Sequence, residues 1–336
     1  MISVIIPTFN KASHLDLTLA SFTLQTDQAY EIVIVDDGST DHTREVVKKY
    51  QLLLPLTYLY QENQGRAKAR NTGLAQATGE FVLFNDDDVI LAPDFLAELL
   101  KTLTSGNPNK VVIPWRRAVL SIWEPGCPDY RELFYFLHGK TEIANKVKKG
   151  ERFQLTSTQA LQASFETEIK NILMGDAWFD PIDHFDQLNR FCWVYAITAA
   201  LAVPFQSLQT VGLFDEHYTG WGVEDNDLCY RLFQNGADFI LEKQAVAYQQ
   251  IHPMSSTRED RKREYAANLE YFCRKYNTLE AFLFWRLIKG KLNLLAANHF
   301  ANKIRAIDDP AVTNVIMNTY RELLTVTMKQ NYQQAA

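Results

Sequence analysis

Two acidic clusters, far apart in the chain, carry most of the chemistry this sequence can perform. Asp86-Asp87-Asp88 follows the apolar run Phe81–Phe84, and Glu224-Asp225 follows Gly220-Trp221-Gly222-Val223. Adjacent carboxylates repel, at a cost that a bound cation or a raised pKa relieves. Two carboxylates two residues apart in a tight turn can send oxygens to one side. Such a set suits Mg²⁺ or Mn²⁺, with positions left for phosphate oxygens. An ion held there would neutralise a diphosphate and help it leave; a solvated acidic turn is the plainer reading of the same residues.

At the second cluster, two glycines bracket Trp221, so the backbone can approach closely while the indole offers a flat face to a sugar ring. Glu224 and Asp225 open a helix whose apolar residues Leu228 and Leu232 are four apart. A carboxylate there can act as general base toward an acceptor hydroxyl, or simply oppose the helix dipole. Asp227 and Arg231 read as an ordinary i,i+4 pair. Arg66 and Arg70 share a helix face and can reach phosphate or ribose, although solvated charges would show the same spacing. Asp36 and Asp37 can accept a hydrogen bond from a base or a ribose hydroxyl. His252, a lone histidine after a strand-like run, gains interest only because the aspartates call for a further ligand. No GxGxxG follows the first strand and no GxxxxGK[ST] occurs, which weakens dinucleotide and P-loop readings.

The elements that must position these groups alternate. Strands are expected at Ile2–Pro7, Glu31–Val35, Leu56–Tyr60 and Phe81–Phe84. Between them helices are expected from Ser13, as cap, to Gln25, then over Thr43–Tyr50 and Ala67–Ala77, with another opened by Pro93 through Leu103. This is an α/β pattern, a mostly parallel sheet covered on both faces, and its ligands bind beyond the carboxyl ends of the strands. Thr8 and Asn10, Asp36 and Asp37, and the Asp86 cluster all fall at such ends. Further on, Trp193–Val203 reads as a strand, Asp225–Gln234 as a helix, and Phe239–Leu241 and Ala245–Tyr248 as two strands. The last eighty or so residues read as helical, and Arg258 to Lys291 holds nine basic against five acidic residues.

Composition narrows the class. The 336 residues carry 34 Lys+Arg against 40 Asp+Glu, net −6, without the basic footprint of bulk nucleic-acid binding. Four scattered cysteines without a CxxC, Cys127, Cys192, Cys229 and Cys273, predict free thiols in a reducing compartment. Met1-Ile2-Ser3-Val4 opens without a secretory pattern, and the run Phe191–Phe205 is shorter than the roughly 20 residues that span a bilayer. A cytoplasmic protein is expected, with surface attachment to a membrane left open. The aromatic, basic stretch Phe282–Lys289 suits either such attachment or packing onto the main domain or a partner subunit.

The ordered motifs Ser3-Val4-Ile5-Ile6-Pro7-Thr8-Phe9-Asn10, Ile34-Val35-Asp36-Asp37-Gly38-Ser39-Thr40-Asp41, Ala69-Arg70-Asn71-Thr72-Gly73 and Asp86-Asp87-Asp88 resemble family 2 glycosyltransferases of the GT-A fold. Phe214-Asp215-Glu216 and the following Gly220-Trp221-Gly222-Val223-Glu224-Asp225 resemble the acceptor-side motif of that family and of galactosyltransferases. The resemblance implies an inverting transfer from a nucleotide-diphosphate sugar, a UDP-sugar as best guess, to a glycan, lipid-linked or other hydroxyl acceptor, with Mn²⁺ or Mg²⁺. By motif, Pro7, Thr8, Asn10, Asp37, Arg66, Arg70, Asp86 and Asp87 would bind the nucleotide sugar, with Asp37 on the base. Asp86, Asp88 and His252 would hold the metal. Asp225 would be the catalytic base, and Glu224, Trp221 and Gly222 would receive the acceptor. Asn85 departs from the family, which usually has an apolar residue there. Absent membrane spans and an absent QxxRW motif argue for adding one or a few sugars. The expected division is a transferase domain over 1–255, with a nucleotide-sugar half at 1–115 and an acceptor half at 116–255, then a helical extension over 256–336. A sugar-phosphate nucleotidyltransferase and an inactive nucleotide-sugar-binding module remain as alternatives.

Overall fold

The computed structural model describes residues 1–125, 145–147, 149–157, 167, 169, 172–176, 182–252 and 257–334. Cys127 and much of the region around 126–181 lie outside them. The first strand, β1 (Ile2–Thr8), is almost wholly buried, as a central parallel strand must be. Its residues alternate faces: Ile2, Val4 and Ile6 enter one core and Ile5 the other. The chain continues through α1 (Ala12–Phe22), β2 (Tyr30–Asp36), α2 (Thr43–Tyr50), β3 (Leu56–Tyr60), α3 (Arg66–Leu74), β4 (Phe81–Asn85), β5 (Val89–Leu91), α4 (Phe95–Thr104) and β6 (Lys110–Val119). Short strands β7 (Ile122–Trp123), β8 (Phe153–Gln154) and β9 (Leu173–Asp176) follow. Then come β10 (Ala200–Pro204), α5 (Phe205–Val211), α6 (Glu224–Gln234), β11 (Asp238–Gln250), α7 (Arg258–Tyr276), α8 (Leu279–Ile288), α9 (Leu294–Arg305) and α10 (Pro310–Gln334).

The main sheet runs β3-β2-β1-β4-β10-β6-β11-β5, with β9 beside β6, and β7 pairs β8 separately. The first four strands pair in parallel through β2-β3, β1-β2 and β1-β4. Antiparallel β10 then joins β4 to β6, so the sheet is mixed beyond the parallel strands that the alternation predicts.

Three local expectations shift. Helix α1 starts without a cap from Ser13; the Ala12 N–H donates instead to Asp41 Oδ2 at 3.0 Å, a cap supplied from the loop after β2. The run from Trp193 is not strand at first. It makes a 3₁₀ turn over Cys192–Val194 that buries Trp193, and strand begins only at Ala200; a short apolar run does not by itself distinguish the two. The two expected strands near 240 are one strand, β11, whose pairing with β6 shifts register between Glu242 and Val246.

Trp193 anchors the larger core. Its ring lies 4.9 Å from Tyr230 of α6, 5.9 Å from Phe272 of α7 and 5.0 Å from Phe284 of α8. Leu283, Phe284 and Trp285, from the aromatic stretch of the tail, are buried in that same core. Among the described residues no helix is long and apolar enough to cross a membrane. Replacing a fully buried aromatic by alanine costs about 3–5 kcal/mol. Trp193→Ala should therefore lower the urea midpoint sharply within a single transition. A second, separate transition for the C-terminal helices would show that they do not share this core.

Candidate active site

Strands β2, β1 and β4 are neighbours, so the residues after their carboxyl ends meet along one edge, where open α/β sheets bind ligands. The Asp37 N–H donates to the Thr8 carbonyl at 2.9 Å. Asp36 is committed locally, accepting from Tyr58 Oη at 2.7 Å and from the Ser39 N–H at 2.8 Å. Asp37 accepts from Gln61 Nε2 at 2.7 Å and from the N–H groups of Gln64 and Gly65, each at 2.9 Å. It thereby fastens the loop that leads into α3. Asn10 has a left-handed backbone (φ 54°) and its side chain accepts from the Thr40 N–H at 2.8 Å, tying the first two strand ends together. Pro7 and Thr8 lie within β1, Thr8 buried.

The acidic turn joins β4 to β5. Asn85 is fully buried, and its Nδ2 donates to the carbonyls of Asp86 (2.9 Å) and Val89 (3.1 Å), closing the turn. A polar residue at that position is thus accounted for by the turn it closes. The Asp87 carbonyl accepts from Thr18 Oγ1 at 2.9 Å, and the Asp88 carbonyl from the Gln250 N–H at 2.8 Å. The end of β11 thereby also delivers His252, whose Nε2 lies 2.7 Å from Asp88 Oδ2. The Lys11 ammonium touches the same ring nitrogen and stands 3.8 Å from Asp88 Oδ2. Burial would raise the Asp88 carboxyl, but the His252 hydrogen bond and the Lys11 charge hold it well below the usual carboxylate range. Burial pushes Asp87 up to about 7 despite Lys11. Asp86 is raised by burial and by Asp88 and Asp225, against the pull of Arg70.

Arg70 joins the two clusters. It is 2% exposed. Its Nη2 donates to Asp86 Oδ1 at 3.0 Å, while Nη1 faces Glu224 Oε1 and Asp225 Oδ1, each at 3.5 Å. Desolvation would lower its pKa, but Asp225, Asp86 and Glu224 together raise it above the ordinary arginine value. Next to it, Asn71 exchanges hydrogen bonds with the backbone of Phe214, each at 2.9 Å, locking the loop that precedes the second cluster. Arg66, exposed at the start of α3, also adds positive potential at Asp86 and Glu224.

Glu224 and Asp225 begin α6 after a backbone that turns left-handed at Gly220 (φ 72°), Gly222 (φ 92°) and Val223 (φ 76°). For β-branched Val223 this conformation is strained, a cost typical of functional loops. Asp225 accepts from Thr198 twice, through Oγ1 and through the N–H at 3.3 Å. The next residue of that segment, Ala199, accepts the Asp86 N–H at 2.9 Å. Glu224 is 7% exposed and raised by burial and by Asp225; Asp225 is 19% exposed. A second buried guanidinium, Arg116 of β6, is lowered to about 10 by burial while Asp86, Asp225 and Asp88 counter the shift. The structure thus brings Arg70, Asp86, Asp88, Glu224, Asp225 and His252 to one site, with Asp37, Thr8 and Asn10 at the adjoining strand ends.

Sequence reasoning missed Lys11, Arg116 and Thr198. Lys11 was legible only as the neighbour of Asn10, Arg116 as one charge in an aromatic, basic stretch, and Thr198 not at all within its apolar run. Asp88 Oδ1 is buried without a hydrogen-bond partner, and His252 adds a nitrogen beside it. That oxygen and nitrogen donor set fits a divalent cation such as Mn²⁺ or Mg²⁺, although among the described residues no three acidic, histidine or cysteine side chains form a ready-made cage.

The carboxyl edge of such a sheet, lined here with acids, is where open α/β folds bind their ligands. The S. aureus TarS fragment 1–349 shares this fold with a TM-score of 0.52 at 18% identity, over 100% of this chain and 92% of that one. Residues 3–164 match the model of glycosyl transferase family 2, and residues 194–254 that of the N-terminal domain of galactosyltransferase. The chain is 29% identical to the uncharacterized glycosyltransferase YfnE of Bacillus subtilis, over 98% of this chain and 84% of that protein. It is 30% identical to the validoxylamine A glucosyltransferase of Streptomyces hygroscopicus subsp. jinggangensis, over 85% of this chain and 63% of that protein. The chain is a glycosyltransferase, with a family 2 domain over residues 3–164.

Removing Arg70 would leave the buried Glu224 and the part-buried Asp86 and Asp225 without their shared cation, a loss approaching the roughly 3–5 kcal/mol of a broken buried pair. Arg70→Met should therefore lower unfolding stability by that order in chemical denaturation. A change below about 1 kcal/mol would mean that the two clusters do not depend on it.

Proposed function

We propose that this enzyme transfers a sugar from a nucleotide-diphosphate donor, a UDP-sugar, to an acceptor hydroxyl by direct displacement with inversion at the anomeric carbon, in glycan, polysaccharide or glycoconjugate biosynthesis. The observation that carries this reading is Arg70, whose one guanidinium faces Asp86 on the donor side and Glu224 and Asp225 on the acceptor side. Donor and acceptor groups so joined can act on the same bond. The TarS fragment, seen in complex with UDP-GlcNAc, supports a UDP-sugar donor.

The residues divide the work. Asp37, with Pro7, Thr8 and Asn10 beside it, receives the nucleoside, and Arg66 at the exposed start of α3 offers a cation to the diphosphate. Asp86, Asp88 and His252 would hold Mn²⁺ or Mg²⁺, which when bound offsets the charge of the departing diphosphate. Asp225 is the general base, because it is the more accessible of the two acids and Thr198 fixes its carboxylate from two sides. It takes the acceptor proton as that oxygen attacks the anomeric carbon from the face opposite the leaving group. The more deeply buried Glu224 orients the acceptor, and Trp221 and Gly222 form the wall against which it rests. Free Cys192, Cys229 and Cys273 support a cytoplasmic enzyme, since free thiols persist in reducing compartments.

General-base removal costs about 10²–10⁴-fold in rate. Asp225→Asn should lose sugar transfer by that factor while donor binding stays within twofold, and wild type should release nucleoside diphosphate. Retained transfer would move the base to Glu224, and pyrophosphate as product would replace the transferase reading with a nucleotidyltransferase.

A further inference from the structure

Helix α7 is rich in charged residues and looks in sequence like a solvated surface helix, yet one face of it forms the mould of the acceptor loop. Asn268 Nδ2 donates to the carbonyls of Thr219 and Gly222, each at 2.9 Å, clamping the loop on both sides of Trp221. A methyl group at Gly220 would overlap the Glu264 carboxylate, and one at Gly222 would overlap the Tyr265 ring. Gly222 is therefore favoured by the Tyr265 ring as well as by its left-handed backbone, whereas Gly220 is required mainly by its backbone, since the Glu264 side chain can swing aside. One turn beyond Tyr271, Lys275 pairs with Asp215 at 2.7 Å, fixing the segment before the loop. The spacing from Glu264 and Tyr265 through Asn268 to Lys275 keeps these groups on one side of the helix.

This mould leaves a half-open aromatic corner. The Trp221 and Tyr265 rings lie 5.6 Å apart, tilted by 45°, and both are only partly buried. The Glu264 carboxylate lies against the same loop, and burial, reinforced by the Glu224 charge, raises the Tyr265 phenol. Two aromatic faces beside carboxylates match a ring with an apolar C–H face and hydroxyls at its edge. A long aliphatic alcohol would leave the Glu264 carboxylate unused.

We propose that Tyr265 and Glu264 of α7 complete the acceptor subsite with Trp221, that this subsite takes a sugar ring, and that Asn268 is its positioning residue. The proposal rests on the transferase reading for the direction in which the bound hydroxyl faces, toward Asp225. Tryptophan fluorescence and saturation-transfer NMR of the full chain, titrated with methyl β-D-glucopyranoside and methyl β-D-galactopyranoside, test it. Nucleoside diphosphate release from UDP-glucose and UDP-galactose is measured in parallel.

Saturable binding of at least one glycoside is expected, with its fluorescence change lost in Trp221→Phe. Affinity should fall about tenfold in Tyr265→Ala and severalfold in Glu264→Ala, and stay within twofold in Tyr265→Phe. Asn268→Ala should weaken binding, and Asn268→Gln should restore part of it, separating loop placement from a general loss of folding. If wild type binds neither glycoside, or if Tyr265→Ala and Glu264→Ala bind as wild type does, the subsite is overturned, whether or not nucleoside diphosphate is released. Binding that depends on Tyr265 without any such release keeps the subsite and removes UDP-glucose and UDP-galactose as donors instead.

Discussion

A single buried guanidinium organises this enzyme. Arg70 lies among Asp86, Glu224 and Asp225 with almost no access to water, so its charge and theirs are interdependent. Three carboxylates brought together without it would carry the repulsion and desolvation that push such groups toward neutrality. Lysine could not take its place, because a point charge lacks the planar fork that addresses two sides at once. The surrounding features serve its placement. Asp37 fastens the loop that starts its helix, Asn71 locks the Phe214 loop beside it, and Phe214 lies under its guanidinium at 5.4 Å.

The side that carries Glu224 and Asp225 is built differently, from a strained loop pressed onto a helix. The left-handed Val223 is a conformation that persists only where neighbours over-determine it, and the Asn268 clamp on the Gly222 carbonyl before it supplies that constraint. The C-terminal helices therefore do two jobs, closing the larger core around Trp193 and shaping the loop that presents Glu224 and Asp225. Both depend on contacts between residues distant in the chain.

Much of the first four strands and their helices was legible from the residues. Apolar runs of strand length separated by helical periods located β1 to β4, and the acids after them fell at the strand ends where ligands gather. His252, weak as a lone-histidine signal, lies 2.7 Å from Asp88. What escaped did so for physical reasons. The 3₁₀ turn at Trp193 carries the apolar composition of a strand, and only its packing against three helices reveals it. The bulge in β11 hides in the charged stretch between its two halves. Thr198 has no local pattern, since its value lies in facing Asp225 across 27 positions of sequence. The contact face of α7 is polar and aromatic, so no hydrophobic period marks it.

Anomalous diffraction at the manganese edge from crystals grown with Mn²⁺ and UDP tests the central claim most directly. The manganese peak is expected beside Asp88 and His252, and the diphosphate in the space bounded by the Asp86 turn and the start of α6, on either side of Arg70. A nucleotide and ion bound together elsewhere, with Glu224 and Asp225 facing away from the diphosphate, would contradict it.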